Sequence, residues 1–283
     1  MVWFLVIILL VVGLLVYLYL QNYYLEVDDY TVTIPKLHKN IKGKKILQLS
    51  DTHLKPRYNK GYIENVIQKV KDINPDLIVI TGDLVQGGLP DLADVPIRKL
   101  CDGLSATAPT YMVTGNHDIQ TAKFEDLTYV LSTTKVKLLL DEAEWVTFKE
   151  DEGGIVLMGL AERPAEEDSP KPRLKYIELT SEMSNQPKIL LAHRPEHFKE
   201  YLDDKTKAPD LILSGHTHAG QMRIPFIGGA IAPGQGVFPK YDYGIFSDEE
   251  DQSKRMIITR GIGNSSFPFR INNRPELVVI TLN

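Results

Sequence analysis

Five short polar segments contain the residue types that bind metal ions and transfer protons. Each follows an apolar run, and together they are Asp51-Thr52-His53, Gly82-Asp83, Gly115-Asn116-His117-Asp118, His193-Arg194 and Gly215-His216-Thr217-His218. They contain five of the 7 histidines of the chain. Imidazole nitrogens, carboxylates and an amide oxygen, without a thiolate, suit Mn, Fe, Zn or Co better than a closed structural zinc site. The segments together predict a transition-metal centre.

Two of these segments carry metal-binding residues two positions apart. In an extended chain, residues i and i+2 project to the same side. Asp51 and His53 are therefore predicted to converge on one point, and so are His216 and His218.

The segment after the third strand is different, because Asn116 and His117 are adjacent. Adjacent side chains project in opposite directions, so one can bind a metal while the other faces a substrate. Glycine precedes Asp83, Asn116 and His216, which allows the backbone to turn sharply and to approach a ligand closely.

The elements that must position these segments are apolar strands. Most are continuous apolar runs, typical of strands covered on both faces, and they are residues 45–50, 76–81, 110–114, 155–160, 188–192, 210–214, 255–259 and 276–281. Helical patterns are found at 59–73, 91–104, 121–132 and 195–203, and the Gly-rich stretch 228–236 predicts a surface loop. This alternation predicts an α/β fold of helices packed on sheets, in which strand carboxyl ends gather ligands.

The motifs differ in specificity when they are taken singly, since Asp-x-His is common by chance and Gly-His-x-His is rare. All five in order, each directly after an apolar run, resemble the calcineurin-like metallophosphoesterase superfamily, whose pattern is D-x-H, G-D, G-N-H-(D/E), H and G-H-x-H. The resemblance in motifs runs over residues 45–218. The segments GHTHAGQ, FPKYDYG, GIGNSSFPFR and RPELVVITL are similar to the bacterial membrane-associated branch. Ala219 is a departure, because that branch usually has glycine there.

This resemblance implies a four-layer α/β/β/α sandwich with a binuclear metal centre. Carried over to this sequence, one metal takes Asp51, His53, Asp83 and His218, and the other takes Asp83, Asn116, His193 and His216. His117 then faces the phosphoryl group as a catalytic residue, and Asp118 beside it is expected to orient it. Two divalent cations, with Mn as the first choice, would generate a hydroxide for in-line attack on phosphorus. Arg194 is a candidate for binding the substrate phosphate, and a structural salt bridge is the alternative.

The composition of the 283-residue chain excludes several other classes of protein. Its 32 Lys plus Arg and 37 Asp plus Glu give a net charge of -5, so stable nucleic-acid binding is not expected. A single cysteine, Cys101, excludes an internal disulfide and a Cys-rich metal site. Neither a nucleophile-elbow serine motif nor a P-loop is present. Gly261-Ile262-Gly263 lacks the third glycine of a dinucleotide-binding loop and predicts a turn.

Residues 2–20 form an uncharged apolar run that is separate from the rest. At 1.5 Å per residue it spans roughly 28 Å, close to the thickness of the hydrocarbon layer. It lacks the basic leader and the small-residue cleavage site of a signal peptide. The sequence thus predicts a single-pass membrane anchor over residues 1–24 and one catalytic domain over 25–283. Lys36 and Lys39, the first cations after the run, favour a cytoplasmic catalytic domain.

The expected substrate is a phosphomonoester, a phosphodiester or a pyrophosphate. An anchor places the site beside a bilayer, so a lipid-linked phosphate is an attractive substrate. The alternatives are a soluble-nucleotide phosphodiesterase and a metal-free interaction module on the same fold. The intact set of metal-binding residues disfavours the module, because such a module has no physical need for them.

Overall fold

Two six-stranded sheets form the centre of the protein in a computed structural model, which describes residues 1–121, 124–148, 153–164, 172–264 and 267–283. The strands are β1 (Glu26–Val32), β2 (Lys45–Leu49), β3 (Leu77–Thr81), β4 (Thr110–Val113), β5 (Val136–Leu138), β6 (Glu142–Thr147), β7 (Gly154–Gly159), β8 (Lys188–Leu191), β9 (Leu211–Ser214), β10 (Arg223–Ile224), β11 (Gly228–Gly229), β12 (Ile231–Ala232), β13 (Gly236–Val237), β14 (Gly244–Ser247), β15 (Arg255–Ile258) and β16 (Glu276–Leu282). The helices are α1 (Val2–Tyr23), α2 (Lys60–Ile73), α3 (Ile97–Ser105), α4 (Asn116–Ile119), α5 (Phe124–Ser132) and α6 (Ser181–Ser184).

The first sheet has the order β1-β16-β2-β3-β4-β5, and the second has the order β14-β15-β9-β8-β7-β6. Strands β2 to β5 run parallel to one another, as do β15, β9, β8 and β7 in the second sheet. The carboxyl ends of the parallel strands within each sheet therefore lie along one edge. The polar segments that follow them are gathered at that edge.

Both faces of both sheets are covered by apolar side chains. In β2, Ile46 packs between the two sheets, whereas the next residue, Leu47, packs on the outer face against helices. Leu190 in β8 faces outward in the same way, towards Phe198 and Tyr201. This burial on two sides explains why the central strands have continuous apolar sequences rather than alternating ones.

Helix α2 illustrates how the outer layer forms. Asn59 accepts a hydrogen bond from the Tyr62 backbone N–H and caps the first turn, and Asn74 ends the helix in the left-handed conformation. Ile63, Val66 and Val70 recur on one face, and all three are buried against the first sheet.

The α/β fold and the layered sandwich are confirmed. The outer layer that packs on the second sheet differs from the prediction, because a predicted helix there is replaced by 3-10 turns. All eight predicted strands are present. The helices at 59–73 and 91–104 are confirmed, the second with a later start, and the one at 121–132 is confirmed over its described residues from Phe124; residues 122 and 123 lie outside the described part of the chain. The predicted helix at 195–203 is wrong, because Pro195 and the buried Phe198 and Tyr201 fold there as two 3-10 turns. The predicted loop at 228–236 is two small hairpins, β10–β11 and β12–β13.

Helix α1 extends away from the sandwich and is long and apolar enough to cross a membrane. Its residues as far as Val16 are exposed, whereas Gln21 is buried against the domain. An exposed helix without charges has no partner in water for its apolar surface, so it is a candidate for a membrane span.

Candidate metal centre and substrate cavity

The two sheets contribute to one site because their strand ends meet. The first sheet supplies the segments after β2, β3 and β4, and the second supplies those after β8 and β9. Gln48 Nε2 ties the sheets together by donating to the Ser214 carbonyl at 2.9 Å and to Thr81 Oγ1 at 3.1 Å. Backbone hydrogen bonds from Asp51 to Gly82 and from His53 to Asp83 align the first two segments.

The side chains form two clusters of converging donor atoms. In the first, His53 Nε2 lies 3.0 Å from His218 Nε2, and Asp51 Oδ1 lies 3.5 Å from the latter nitrogen. In the second, His216 Nδ1 lies 3.2 Å from His193 Nε2. Within each cluster the donor atoms lie within 4.8 Å of one another.

Asp83 connects the two clusters. Its Oδ2 lies 3.3 Å from His193 Nε2 in the second cluster and 3.7 Å from His53 Nε2 in the first. Its Oδ1 accepts a hydrogen bond of 2.7 Å from the His117 backbone N–H. One carboxylate oxygen thus faces both groups of imidazoles, which is the position that a shared ligand requires.

The argument from extended i, i+2 spacing is wrong for His216 and His218, since they belong to different clusters. The backbone is not extended there: φ is 72° at His216 and 46° at His218. Asp51, His53 and Asp83 also have positive φ. Non-glycine residues in this region store strain, and such strain is found mainly at functional sites.

The glycines before the polar residues are required by close approach. A Cβ at Gly115 would lie 2.2 Å from Asp83 Oδ1, and one at Gly215 would lie 2.3 Å from Asp51 Oδ2. Gly82 has φ +96°, and a Cβ there would lie 2.5 Å from His193 Nδ1. The predicted close approach of the backbone is therefore an approach to the site's own side chains.

Helix α4 begins at Asn116 and carries His117 and Asp118. His117 Nδ1 accepts a hydrogen bond of 3.0 Å from the Gly87 backbone N–H, so the ring proton belongs on Nε2. The Asp118 carboxylate accepts from the backbone N–H of Val85 at 3.0 Å and of Gly115 at 2.9 Å. Asp118 thus fixes the loop that carries His117, while Gly87 orients the imidazole ring.

Arg194 lies at the side of the second cluster. Its Nε donates to both carboxylate oxygens of Glu162, at 2.9 and 3.0 Å, and its Nη1 is 3.5 Å from His216 Nε2. This is the structural salt bridge that the sequence left as the alternative for Arg194. The bifurcated hydrogen bond from Nε to Glu162 places the guanidinium beside His216, and Arg194 does not line the cavity.

Burial and mutual charge shift the protonation of the site. Burial raises the pKa of Asp51 to about 6 and lowers the pKa of His53 to about 3. Burial also lowers the pKa values of His216 and His218. At Asp83, burial acts to raise the pKa, but the adjacent His193 outweighs it and the pKa falls. Burial acts to lower the pKa of His193, but the Asp83 carboxylate outweighs it and raises that pKa to about 10. The site therefore combines neutral imidazoles at His53, His216 and His218 with a cationic His193 beside Asp83.

One buried atom supports a fit to divalent cations. Asn116 Oδ1 has no hydrogen-bond partner among the described residues, and an unpaired buried polar atom is costly. His193 Nδ1 donates to the Thr81 carbonyl at 2.7 Å, which orients Nε2 towards Asp83. Imidazole, carboxylate and amide oxygen form a donor set suited to first-row transition metals.

A cavity of about 430 Å³ opens over the site. Asp83, Asn116, His117, His216 and His218 line its floor, and its walls are formed by Thr217, Gln221, Ile231, Ala232, Pro233, Gly234, Gly236 and Phe267. Sequence reasoning missed these walls. The available signal was the apolar residues within the Gly-rich stretch that follows the last histidine pair.

Arg270 and Asn273 are further residues that the sequence reasoning missed. Arg270 is completely buried, and its Nη2 donates to the carbonyls of Arg260, Gly261 and Gly263 at 3.0, 3.3 and 2.5 Å. Asn273 Nδ2 donates to the His218 carbonyl at 2.7 Å. Both residues therefore hold backbone that surrounds the first cluster.

Comparison with known proteins agrees with this geometry. Residues 44–220 match the family described as "Calcineurin-like phosphoesterase". An "Uncharacterized metallophosphoesterase" of Aquifex aeolicus is 30% identical over 273 residues, which cover 94% of this chain and 95% of that protein.

Two further relatives carry more specific names. "Phosphodiesterase YaeI" of Escherichia coli is 30% identical, with 84% of this chain and 82% of that protein covered. A "Transmembrane protein with metallophosphoesterase domain" of Danio rerio is 29% identical, with 91% of this chain and 57% of that protein covered.

Proposed function

The chain belongs to the calcineurin-like phosphoesterase family and is a phosphoester hydrolase, and we propose that it works at a membrane with a binuclear metal centre. Asp51, His53, Asp83 and His218 would hold one divalent ion. Asp83, Asn116, His193 and His216 would hold the other. The observation that carries this proposal is the Asp83 oxygen that faces imidazoles of both clusters, at 3.3 and 3.7 Å.

Two bound divalent cations would supply positive charge for the phosphoryl oxygens, and they would lower the pKa of a bound water molecule to near neutral pH. The protein's own residues shape the rest of the reaction. His117 carries its proton on Nε2, because Nδ1 accepts from Gly87. The ring lines the cavity, so its Nε2–H can donate a hydrogen bond to a phosphoryl or leaving-group oxygen.

Two residues act by positioning others. Asp118 accepts from two backbone N–H groups and thereby holds the loop of Asn116 and His117. Arg194, held by Glu162, faces His216 Nε2 and restrains the orientation of that ring. We assign both to the support of the site rather than to contact with the substrate.

We place the membrane anchor at residues 1–24 and the catalytic domain at 25–283. The support is the exposed, uncharged surface of α1. Lys36 and Lys39 favour a cytoplasmic domain. The apolar walls formed by Ile231, Pro233 and Phe267 suit an amphiphilic substrate, so we propose a lipid-linked phosphoester or pyrophosphate.

Replacing Asp83 with asparagine tests the metal centre. The substitution conserves shape and the acceptor for the His117 N–H, but it removes the charge shared by the two clusters. We expect activity to fall about 1,000-fold, or about 4 kcal/mol of transition-state stabilisation. The measurement is hydrolysis of nitrophenyl monoester and diester substrates with added Mn²⁺, alongside metal analysis of the detergent-purified full chain.

Asp76→Asn is the matched control. Asp76 precedes the same strand at its opposite end and accepts from the Lys45 N–H at 2.8 Å. We expect this variant to keep wild-type activity and metal content. Wild-type protein without bound transition metal would favour the interaction module, and Asp83→Asn with unchanged activity would refute the shared ligand.

A further inference from the structure

Five large apolar side chains are exposed on one part of the catalytic domain. Phe226 is fully exposed, and Ile227, Val237, Phe238 and Phe269 are between 45% and 66% exposed. We call these five residues the apolar rim. Single exposed apolar residues are ordinary on soluble proteins, whereas contiguous groups mark interaction surfaces.

The segments that carry the rim are hydrogen-bonded to each other. The Ala230 N–H donates to the Met222 carbonyl at 2.8 Å, and the Phe238 N–H donates to the Ala230 carbonyl at 3.0 Å. The Arg223 N–H donates to the Ile271 carbonyl at 2.9 Å. Both hairpins and the chain that follows Phe269 therefore form a continuous unit.

This unit is joined to α1. Tyr17 Oη donates to Asn272 Oδ1 at 3.0 Å and accepts from the Asn272 N–H at 3.1 Å. Asn272 Nδ2 in turn donates to the Arg223 carbonyl at 3.3 Å, at the base of the first hairpin. Asn272 and the hairpin tip with Phe226 also line one cavity.

The position of this junction along α1 sets its depth. Tyr17 precedes Leu20, the end of the uncharged run, by about 4.5 Å along the helix axis. A span that fills the hydrocarbon layer therefore places Tyr17 and Asn272 at its boundary. The apolar rim is connected to Tyr17 through Asn272, so it then lies at the lipid surface.

From this continuity we infer that the apolar rim docks into the surface of the same bilayer that α1 crosses. The inference rests on the proposed anchor and adds a second membrane contact. Amphipathic surfaces of this kind insert about 5–10 Å into the headgroup and acyl boundary. Docking would bring the cavity to the bilayer, because Ile231 and Phe267 line that cavity next to the rim.

Cations beside the C-terminal end of α1, the end that also carries Tyr17, complete the surface. Exposed Lys55 and Arg57 line a cavity of about 220 Å³ together with Asn22 and Tyr23. Cations placed next to a membrane span attract anionic headgroups. A lipid surface therefore matches both the apolar and the charged parts better than a second copy of the chain does.

Fluorescence quenching by lipid tests this docking on the full chain. Single cysteines at Phe226→Cys and Lys205→Cys receive the same environment-sensitive dye, and Leu9→Cys reports on α1. Native Cys101 will not react, because it is buried and burial raises its thiol pKa to about 12. Lys205 lies near Lys188 and Asp210, at the opposite ends of the strands from the site.

The protein is reconstituted in phosphatidylcholine–phosphatidylglycerol vesicles that carry doxyl-labelled acyl chains. We expect quenching at position 226 to exceed that at 205 by about threefold or more, and position 9 to be quenched as well. Quenching at position 9 with none at position 226 refutes membrane docking of the apolar rim, but it is consistent with insertion of α1. No quenching at position 9 overturns both.

Two outcomes distinguish membrane docking from dimerisation and from failure of the proposed hydrolysis. Disulfide-linked dimers of unlabelled Phe226→Cys, without lipid quenching at 226, would mean that a second copy covers the surface and would refute docking. The readout needs no turnover. Lipid quenching at 226 in an inactive protein therefore supports the rim even if the proposed hydrolysis fails.

Discussion

Replacing Arg270 with methionine would show what the buried guanidinium does for the site. No carboxylate among the described residues forms a salt bridge with it; instead Nη2 donates to the carbonyls of Arg260, Gly261 and Gly263. The loop that it holds donates the Gly263 N–H to the Asp51 carbonyl at 2.7 Å. The guanidinium thus supports a predicted metal ligand through one turn of backbone.

The size of the effect follows from the groups left behind. Methionine has a similar length but no donors, so the carbonyls of Arg260 and Gly263 would lose their partner, whereas that of Gly261 keeps the Glu276 N–H at 3.2 Å. Each orphaned carbonyl costs about 1–3 kcal/mol, and the release of a buried charge offsets part of this cost. We expect a loss of about 3 kcal/mol of stability, which is a fall in Tm of roughly 6–12 °C for a domain of this size.

Thermal unfolding in detergent and metal content after dialysis are the two measurements. Arg274→Met is the matched control, since Arg274 is partly exposed and its pair with Glu26 at 2.9 Å is a surface ion pair. That control should cost less than about 1 kcal/mol. If Arg270→Met melts within about 2 °C of wild type and retains its metal, the carbonyls do not depend on the guanidinium and the reasoning fails.

Two further predictions concern the close approach of the backbone and the substrate. Gly215→Ala should abolish most activity, because the new Cβ would lie 2.0 Å from Ser50 Oγ and 2.3 Å from Asp51 Oδ2. Gly61→Ala in α2, where the nearest atom would lie at 3.4 Å, should leave activity unchanged. Equal hydrolysis of nitrophenyl esters by both variants would contradict this prediction. Hydrolysis of a phosphoester on a diacyl lipid in vesicles should exceed that of its water-soluble head group by about tenfold or more, and equal rates would end the proposal of a lipid-linked substrate.

The central strands were predictable because they are buried on both faces. β3, β7, β8 and β9 have nearly continuous apolar sequences, which are typical of strands covered on both faces. β1, with the sequence EVDDYTV, could not be found in this way. It is an edge strand whose residues are mostly half-exposed, and its pairing with β16 comes from distant sequence.

The candidate site was predictable as a set of residues but not as a geometry. The motif pattern grouped His218 with Asp51 and His53, and the structure brings these three together. The rule for extended chains would have paired His216 with His218, but it applies to neither pair, because the backbone is left-handed at Asp51, His53, His216 and His218. Asp51 and His53 converge without an extended chain, whereas His216 and His218 do not. Such local strain is imposed by surrounding contacts, which single-sequence periodicity does not contain.

The end of α1 is joined to the site by hydrogen bonds through Asn273, which bears on how a membrane substrate would be reached. Gln21 is buried, and its Oε1 accepts a hydrogen bond of 2.8 Å from the Asn273 N–H. The Asn273 side chain donates to the carbonyls of His218 and Gln221, at 2.7 and 3.0 Å. Helix α1 and the first cluster therefore share one hydrogen-bonded residue. If α1 spans the bilayer as proposed, these contacts would hold the cavity at one height above it, whereas a flexible linker would let the cavity sample many heights. A hydrolase held in this way would suit a phosphate that is itself confined to the lipid surface.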